Sequence, residues 1–127
     1  DRYEHTAEIV VATELLGFSH RDVALIAAIL YSAREEGPGP KAWSPLLREA
    51  DFGPIARAGL VLALADDVEE RCPRGAKVRL RIRRGRRKVT LHVPQLLAWR
   101  SRTLDRRFER LFGQRLLVGN GRRMLGA

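Results

Sequence analysis

Hydrophobic positions follow a helical period in the first part of the chain. Over residues 4–16 the apolar side chains form one broad stripe, which predicts an amphipathic helix ended by Gly17. Ser19 and Asp22 have the spacing of a helix N-terminal capping pair. Residues 23–30 follow without a polar side chain, so we expect a helix that is buried on all sides.

Two further segments complete the predicted helical region. Ser44 and Pro45 are typical of a helix N-cap and first position, which predicts a short helix through about Ala50. A third long helix is predicted to begin at Pro54, to be buried in its first half, and to end among the acidic residues 66–70.

A period of two replaces the helical period at Lys77. Apolar and basic residues alternate over residues 77–83, and alternation returns over residues 88–93. This pattern predicts a β-hairpin that turns around Gly85, with an aliphatic inner face and a basic outer face. A last helix is predicted from Pro94 to a C-terminal cap at Gly113, and residues 116–118 are a candidate short strand beside the hairpin.

The predicted fold class is therefore α+β and mainly α, a helical bundle followed by a basic hairpin and a final helix. We predict two lobes, a helical lobe over residues 1–74 and a hairpin-plus-helix lobe over residues 75–127.

Charge is distributed unevenly between these lobes. Residues 1–76 contain 8 Lys/Arg against 13 Asp/Glu, whereas residues 77–127 contain 16 against 2. A G+C-rich genome would explain the preference for Arg over Lys, but it would not explain why acidic residues avoid the last part of the chain. The basic part should attract a polyanion.

The predicted hairpin gathers most of this positive charge. Alternate residues of a strand lie about 7 Å apart on one face, so a row of arginines can bind successive phosphates through paired hydrogen bonds. The candidate polyanion-binding residues are Arg79, Arg81, Arg83 and Lys88 on the outer face, Arg84, Arg86 and Arg87 at the tip, and His92 at the end of the outer face.

Signatures of catalysis and of metal binding are weak. The chain has no Walker-type phosphate loop, no Gly-x-Ser-x-Gly elbow and no His-Glu-x-x-His pair, and its single cysteine, Cys72, has no neighbours at zinc-ligand spacing. The carboxylates of residues 66–70 are interpreted as the solvated end of a helix rather than a magnesium site. We therefore expect no catalytic residue, metal or cofactor in this chain.

Membrane association is also not expected. The longest apolar run, residues 23–31, has nine residues, whereas a membrane span needs roughly 20. A cytoplasmic location is the expectation.

The order of four segments resembles the C-terminal region of the exopolyphosphatase and guanosine pentaphosphate phosphatase (Ppx/GppA) family. The segments are His5-Thr6-Ala7-Glu8-Ile9-Val10, Leu16-Gly17-Phe18-Ser19-His20-Arg21, Ile29-Leu30-Tyr31-Ser32 and Leu62-Ala63-Leu64-Ala65-Asp66-Asp67-Val68-Glu69. The closing segment Arg107-Phe108-Glu109-Arg110-Leu111-Phe112-Gly113-Gln114-Arg115-Leu116 is similar to the last helix and strand of that family.

The resemblance implies that catalysis belongs to a preceding module and not to this region. In that family an actin-like phosphatase module, which uses magnesium, comes first, and a helical region similar to the HD phosphohydrolases follows it. His5 and Asp66 match HD-like positions, and we expect them to be vestigial. Tyr3 and Ser32 stand where the family commonly has histidines, which argues against metal-dependent hydrolysis by this region.

Three functional hypotheses follow. The first is an accessory or regulatory C-terminal domain of an exopolyphosphatase-like enzyme, which binds or guides polyphosphate and is not itself catalytic. The second is support of homodimer assembly through the aliphatic faces. The third is an RNA-binding or DNA-binding module that uses the same hairpin, although the hairpin face carries no aromatic residue for base stacking.

Overall fold

The computed structural model describes residues 2–12, 17–34, 44–99, 101–121 and 124–125. Within these residues the predicted fold class is confirmed, because the chain is a mainly helical α+β protein with four helices and a small mixed sheet. The elements in order are α1 (Arg2–Ala12), α2 (His20–Ser32), α3 (Phe52–Glu70), β1 (Arg81–Arg84), β2 (Lys88–His92), α4 (Arg102–Phe112), β3 (Arg115–Gly119) and the two-residue β4 (Met124–Leu125).

The chain forms two compact units. Unit 1 is Asp1–Ala63 and unit 2 is Leu64–Ala127, so the division falls inside α3. The lobe boundary after residue 74 stays a prediction.

The core of unit 1 is built mainly from small side chains. Ala7 of α1 packs with three alanines of α2 and with Ile55 of α3. The predicted apolar stripe of α1 is wrong in part, because Ile9 and Val11 are 51% and 40% exposed. The helix buries Ala7 against α2, whereas Ile9 and Val11 face solvent and Val10 is half-buried. The predicted end of this helix, at residues 13–16, lies outside the described residues.

The start of α2 is confirmed in detail. The Asp22 N–H donates to Ser19 Oγ at 3.0 Å, and the Ser19 N–H donates to Asp22 Oδ2 at 3.0 Å. This reciprocal pair satisfies two amides that an uncapped helix would leave free. Every side chain from position 23 to 30 is at least half-buried, which agrees with the predicted central helix.

Two 3₁₀ turns, Ser44–Leu46 and Glu49–Asp51, replace the predicted single short helix. A bidentate ion pair ties them to α2, because Arg21 Nη1 and Nη2 donate to the two carboxylate oxygens of Asp51 at 2.9 and 2.8 Å. Arg21 Nη1 also donates to the Leu46 carbonyl at 2.8 Å. One guanidinium therefore connects both turns to α2, and this tertiary contact overrides the local helical preference.

Helix α3 approaches α2 closely at Gly59. A Cβ added to Gly59 would lie 2.7 Å from the Ser32 carbonyl carbon and 2.9 Å from the Ala33 nitrogen. Backbone atoms cannot rotate away as a flexible side chain can, so only glycine fits at this contact.

Unit 2 is organised around the sheet, whose strand order is β1-β2-β3-β4. Strands β1 and β2 pair antiparallel, with Ile82 opposite Leu91, and this confirms the predicted hairpin. Strands β2 and β3 pair parallel, with Leu91 opposite Val118, and α4 forms the connection between them. The candidate strand at residues 116–118 is thus confirmed, as part of β3.

The hairpin is shorter than the sequence pattern predicted. Strand β1 begins at Arg81 rather than Lys77, because β2 ends at His92 and the chain turns at Pro94 and Gln95. Pro94 has no N–H to donate across the hairpin. The backbone N–H of Arg79 donates instead to the side-chain Oε1 of Gln95 at 3.0 Å.

The predicted start of the last helix at Pro94 is also wrong. Val93 continues the sheet, since its N–H donates to the Gly119 carbonyl at 2.9 Å. The Leu97 N–H donates to the Arg71 carbonyl at 3.0 Å, so the segment is held by tertiary contacts until α4 begins at Arg102. The predicted cap is confirmed, because Gly113 has φ 68° and its N–H donates to the Glu109 carbonyl.

No helix in the described parts of the chain combines the length and the apolar character that crossing a membrane requires.

The contact at Gly59 generates a stability prediction. We expect Gly59→Ala to lower the free energy of unfolding by about 1–3 kcal/mol, because the added methyl group overlaps backbone atoms of α2. Denaturant unfolding followed by circular dichroism measures this change. The control is Ala65→Gly at an exposed position of α3, where glycine alone costs about 0.5–1 kcal/mol. If Gly59→Ala stabilises the protein, helix propensity outweighs the close contact and the interpretation is wrong.

The Arg21–Asp51 pair generates a pH prediction. The Arg21 hydrogen bonds, together with the Arg48 N–H, lower the pKa of Asp51 from 3.8 to about 2. A carboxylate with a lowered folded-state pKa stabilises the fold above its unfolded pKa, and this contribution disappears as the pH falls from 3.8 toward about 2. Asp51→Asn should therefore destabilise the protein near neutral pH, and its difference from wild type should shrink over that acidic interval.

Urea unfolding at several pH values measures the difference. Glu49→Gln is the matched control, because Glu49 is an exposed carboxylate of the same turn with no ion pair among the described residues. A pH-independent difference between wild type and Asp51→Asn would contradict the assigned role of the pair.

Candidate polyanion-binding site

Side chains of the sheet fall on two chemically different faces. Residues two apart on a strand share a face, and residues directly opposite each other on neighbouring strands share it too. Leu91, Leu116 and Val118 are 5%, 5% and 1% exposed and lie on one face, which we name the apolar face. The opposite face, which we name the basic face, carries Arg81, Arg83, Lys88, Thr90, His92, Arg115 and Leu117.

Three strands contribute cations to the basic face. Arg81 and Arg83 come from β1, Lys88 from β2, and Arg115 from β3. Lys88 and Arg115 are register partners in the parallel pair, so their backbones lie about 5 Å apart. The basic face is thus wider than the predicted hairpin stripe.

Arg115 was missed by sequence reasoning. The signal was weak, because nothing in the local sequence gives the register of a parallel strand that follows a helix. If residues 115–119 form a strand, Leu116 and Val118 lie on one face and Arg115 lies on the other. This alternation is the one signal in the sequence that places Arg115 on a polar face.

Among the described residues, the basic side chains of the hairpin have no ion-pair partner. All seven are exposed, and none of them takes part in the salt bridges that the described residues show, such as those of Arg21, Arg34 and Arg71. The seven are Arg79, Arg81, Arg83, Arg84, Arg86, Arg87 and Lys88. Their charges are therefore uncompensated at close range, which strengthens the attraction of this surface for anions.

The hairpin candidates do not all share one face. Arg84 lies in β1 opposite Val89, so alternation places its side chain on the apolar face beside the exposed Ile82. Arg79 precedes β1, and Arg86 and Arg87 form the two-residue turn, where the Gly85 N–H donates to the Lys88 carbonyl at 2.8 Å. The tip cations thus border the basic face rather than belonging to it.

His92 is less accessible than the sequence suggested. Its imidazole lies against Gly121, so closely that a Cβ added at Gly121 would overlap His92 Cε1. Gly121 also has φ +89°, a conformation that favours glycine. One side of the His92 ring is therefore covered, and His92 marks the boundary of the basic face.

Two glutamines position the hairpin. Gln114 Nε2 donates to the Gly85 carbonyl at 2.7 Å and to the Arg86 carbonyl at 3.2 Å, so residues beside β3 anchor the turn. Gln95 holds the other end through the Arg79 N–H. These side chains act on backbone groups, and no motif in the sequence points to them.

A buried aromatic side chain anchors the segment before α4. Trp99 is 1% exposed and its Nε1 donates to Asp105 Oδ1 at 3.1 Å. The Arg71 guanidinium lies 5.5 Å from the centre of the Trp99 ring. Burial raises the pKa of Asp105, while the Trp99 hydrogen bond and the charge of Arg115 act in the opposite direction. This cluster fixes the segment that joins β2 to α4.

The two HD-like positions lie in different units. His5 is exposed on α1 of unit 1, and Asp66 is half-buried on α3 of unit 2. No group of three His, Cys, Asp or Glu side chains that could hold a metal ion occurs within the described residues. The vestigial role of His5 and Asp66 stays a prediction.

Comparison with known proteins found no matching family model, no similar curated protein and no similar solved structure. The Ppx/GppA resemblance accordingly stays a prediction from the segments quoted above.

The glutamine contacts generate a prediction about the turn. Gln114→Ala should lower the free energy of unfolding by about 1 kcal/mol, since it removes hydrogen bonds to two exposed carbonyls. Amide hydrogen exchange at Gly85, whose N–H donates to the Lys88 carbonyl and closes the turn, should become faster, while exchange in α4 should be unchanged. Gln95→Ala is the matched control, because it should release the Arg79 amide and leave the turn protected. Unchanged exchange at the turn in Gln114→Ala would show that Gln114 does not anchor it.

Proposed function

We propose that this chain is an accessory region of an exopolyphosphatase-like phosphatase, and that it binds polyphosphate on the basic face without hydrolysing it. The observation that carries the proposal is the set of cations from three strands on a single face, of which Arg81, Arg83 and Lys88 have no ion-pair partner among the described residues. Phosphoryl transfer would belong to a separate magnesium-dependent phosphatase module of the kind that the family resemblance implies.

The geometry suits an extended polyanion. Arg81 and Arg83 lie about 7 Å apart along β1, and Lys88 and Arg115 lie about 5 Å apart across the sheet. Arginine can give each phosphate two parallel hydrogen bonds, and lysine adds a point charge. An anion with a charge on every repeat unit can therefore contact several of these groups at once, whereas an isolated phosphate cannot.

Nucleic acid fits this surface less well. Binding of single-stranded RNA or DNA normally adds stacking of bases on exposed aromatic rings. Among the described residues of unit 2, Trp99 and Phe108 are buried and Phe112 is half-buried. Charge alone would attract RNA, so a competition experiment separates the two ligands.

The binding prediction concerns two arginines of β1. We expect the double substitution Arg81→Gln and Arg83→Gln to weaken binding of polyphosphate by about tenfold or more, because two charge-assisted contacts are lost. The dependence of log affinity on log salt concentration should also become shallower by about 1–2, by analogy with nucleic acids. Fluorescence anisotropy with labelled polyphosphate at several salt concentrations measures both quantities.

The matched control removes the same charge elsewhere. Arg106 and Arg110 are exposed on α4, so Arg106→Gln with Arg110→Gln should leave affinity within about twofold if the basic face is the site. If both double variants lose the same affinity for polyphosphate, binding depends on the net charge of the chain and not on the basic face. Displacement of polyphosphate by single-stranded RNA of equal charge at lower concentration would favour the nucleic-acid alternative.

A further inference from the structure

Strand β1 leaves one of its edges open. It is the first strand in the sheet order, and within the described residues it pairs only with β2. The Arg115 N–H donates to the Arg87 carbonyl and the Val93 N–H donates to the Gly119 carbonyl, so odd-numbered backbone groups of β2 point toward β3. The even-numbered groups, including the Lys88 carbonyl that accepts from Gly85, point toward β1.

The alternation of backbone direction along β2 determines which backbone N–H and C=O groups of β1 have no partner in the sheet. Arg81 and Arg83 are opposite His92 and Thr90, so their backbone groups bond to β2. Ile82 and Arg84 therefore direct their N–H and C=O groups away from the sheet. An added strand could therefore form backbone hydrogen bonds with Ile82 and Arg84 at this exposed edge.

Side chains at this edge are basic on one face, whereas the other face carries the apolar Leu80 and Ile82 followed by Arg84. Ile82 is 61% exposed, and Leu80, two residues before it, is 56% exposed. Both side chains remain exposed although β1 pairs with β2. A partner that buried them would gain free energy from the hydrophobic effect. Arg81 and Arg83 lie on the opposite face of the same strand.

A second copy of β1 would be a poor occupant of this edge. In antiparallel self-pairing with Ile82 opposite Ile82, each Arg81 would face an Arg83, and in the next register Arg83 would face Arg83. Like charges directly opposite each other destabilise a strand pair. A strand that carries carboxylates fits this edge better, because its negative charges would lie opposite Arg81 and Arg83.

We propose that the open edge of β1 is a docking site for one extended acidic peptide segment of a partner protein. The segment alternates Asp or Glu with aliphatic residues. Its backbone pairs with Ile82 and Arg84, its carboxylates face Arg81 and Arg83, and one of its aliphatic side chains covers Ile82. This site shares Arg81 and Arg83 with the surface proposed for polyphosphate, but it also uses the backbone of Ile82 and Arg84 and the Ile82 side chain. An inorganic polyanion has neither a backbone to pair with the edge nor apolar groups to cover Ile82.

The probe is a synthetic peptide of about ten residues that alternates Glu and Val and is blocked at both ends, a length typical of one strand. Binding to the full chain is measured by fluorescence anisotropy, and amide hydrogen exchange is measured with and without peptide. We expect the Ile82 and Arg84 amides to gain protection on binding. A peptide of identical sequence with N-methyl groups on alternate residues is the control for backbone pairing.

The variant that separates the two sites is Ile82→Pro. Proline is tolerated where the N–H points away from the sheet, and this change leaves every arginine in place. We expect peptide affinity to fall by about tenfold or more while polyphosphate affinity stays within about twofold. Circular dichroism checks that the variant is folded, and the N-methylated peptide on the wild-type chain tests the same contact without any substitution.

Three outcomes would overturn the proposal. One is equal affinity for the N-methylated and the unmodified peptide, which would reduce the contact to charge. Another is unchanged peptide binding by folded Ile82→Pro. The third is the absence of peptide binding by a wild-type chain that does bind polyphosphate, in which case the arginines of β1 only prevent the edge from pairing.

Discussion

The parallel pairing of β2 with β3 is the constraint on which the surface of unit 2 depends. Both strands bury alternate residues, with Leu91, Leu116 and Val118 almost inaccessible on the apolar face. A slip of one residue would bury cations and expose the aliphatic side chains, and a buried unpaired charge is very costly. The packing of three aliphatic residues therefore fixes Lys88 and Arg115 on the opposite face, although none of the three carries charge.

Local features of this structure were readable from the sequence, and features that depend on distant pairing were not. The period of two around Gly85 and the Ser19/Asp22 cap involve residues within a few positions of each other, and both are confirmed. The start of β1 depended on where β2 turns at Pro94, and the start of α4 on a hydrogen bond from Leu97 to Arg71. Arg115 required the register of two strands separated by a helix, and Gln114 acts on carbonyls that no side-chain pattern reveals.

Unit 1 shows a second reason why hydrophobicity is an incomplete guide. The hydrophobic pattern of α1 predicts that its large aliphatic side chains are buried. The buried residue is instead Ala7, and Ile9 is about half exposed. Close helix contacts favour small residues, as at Gly59 against the backbone of Ser32 and Ala33. A sequence that places alanine and glycine at the helix contacts can leave its larger aliphatic residues outside.

The density of positive charge in the turn also affects how the hairpin forms. Six cations between positions 81 and 88 are brought together when β1 pairs with β2, and they repel one another in the closed form. At about 0.1 M ionic strength, charges more than about 10 Å apart are largely screened, so added electrolyte relieves this repulsion. The same ions that compete with a phosphate chain for the arginines would make hairpin closure easier, so the stability of the hairpin and its affinity for a polyanion respond to ionic strength with opposite signs.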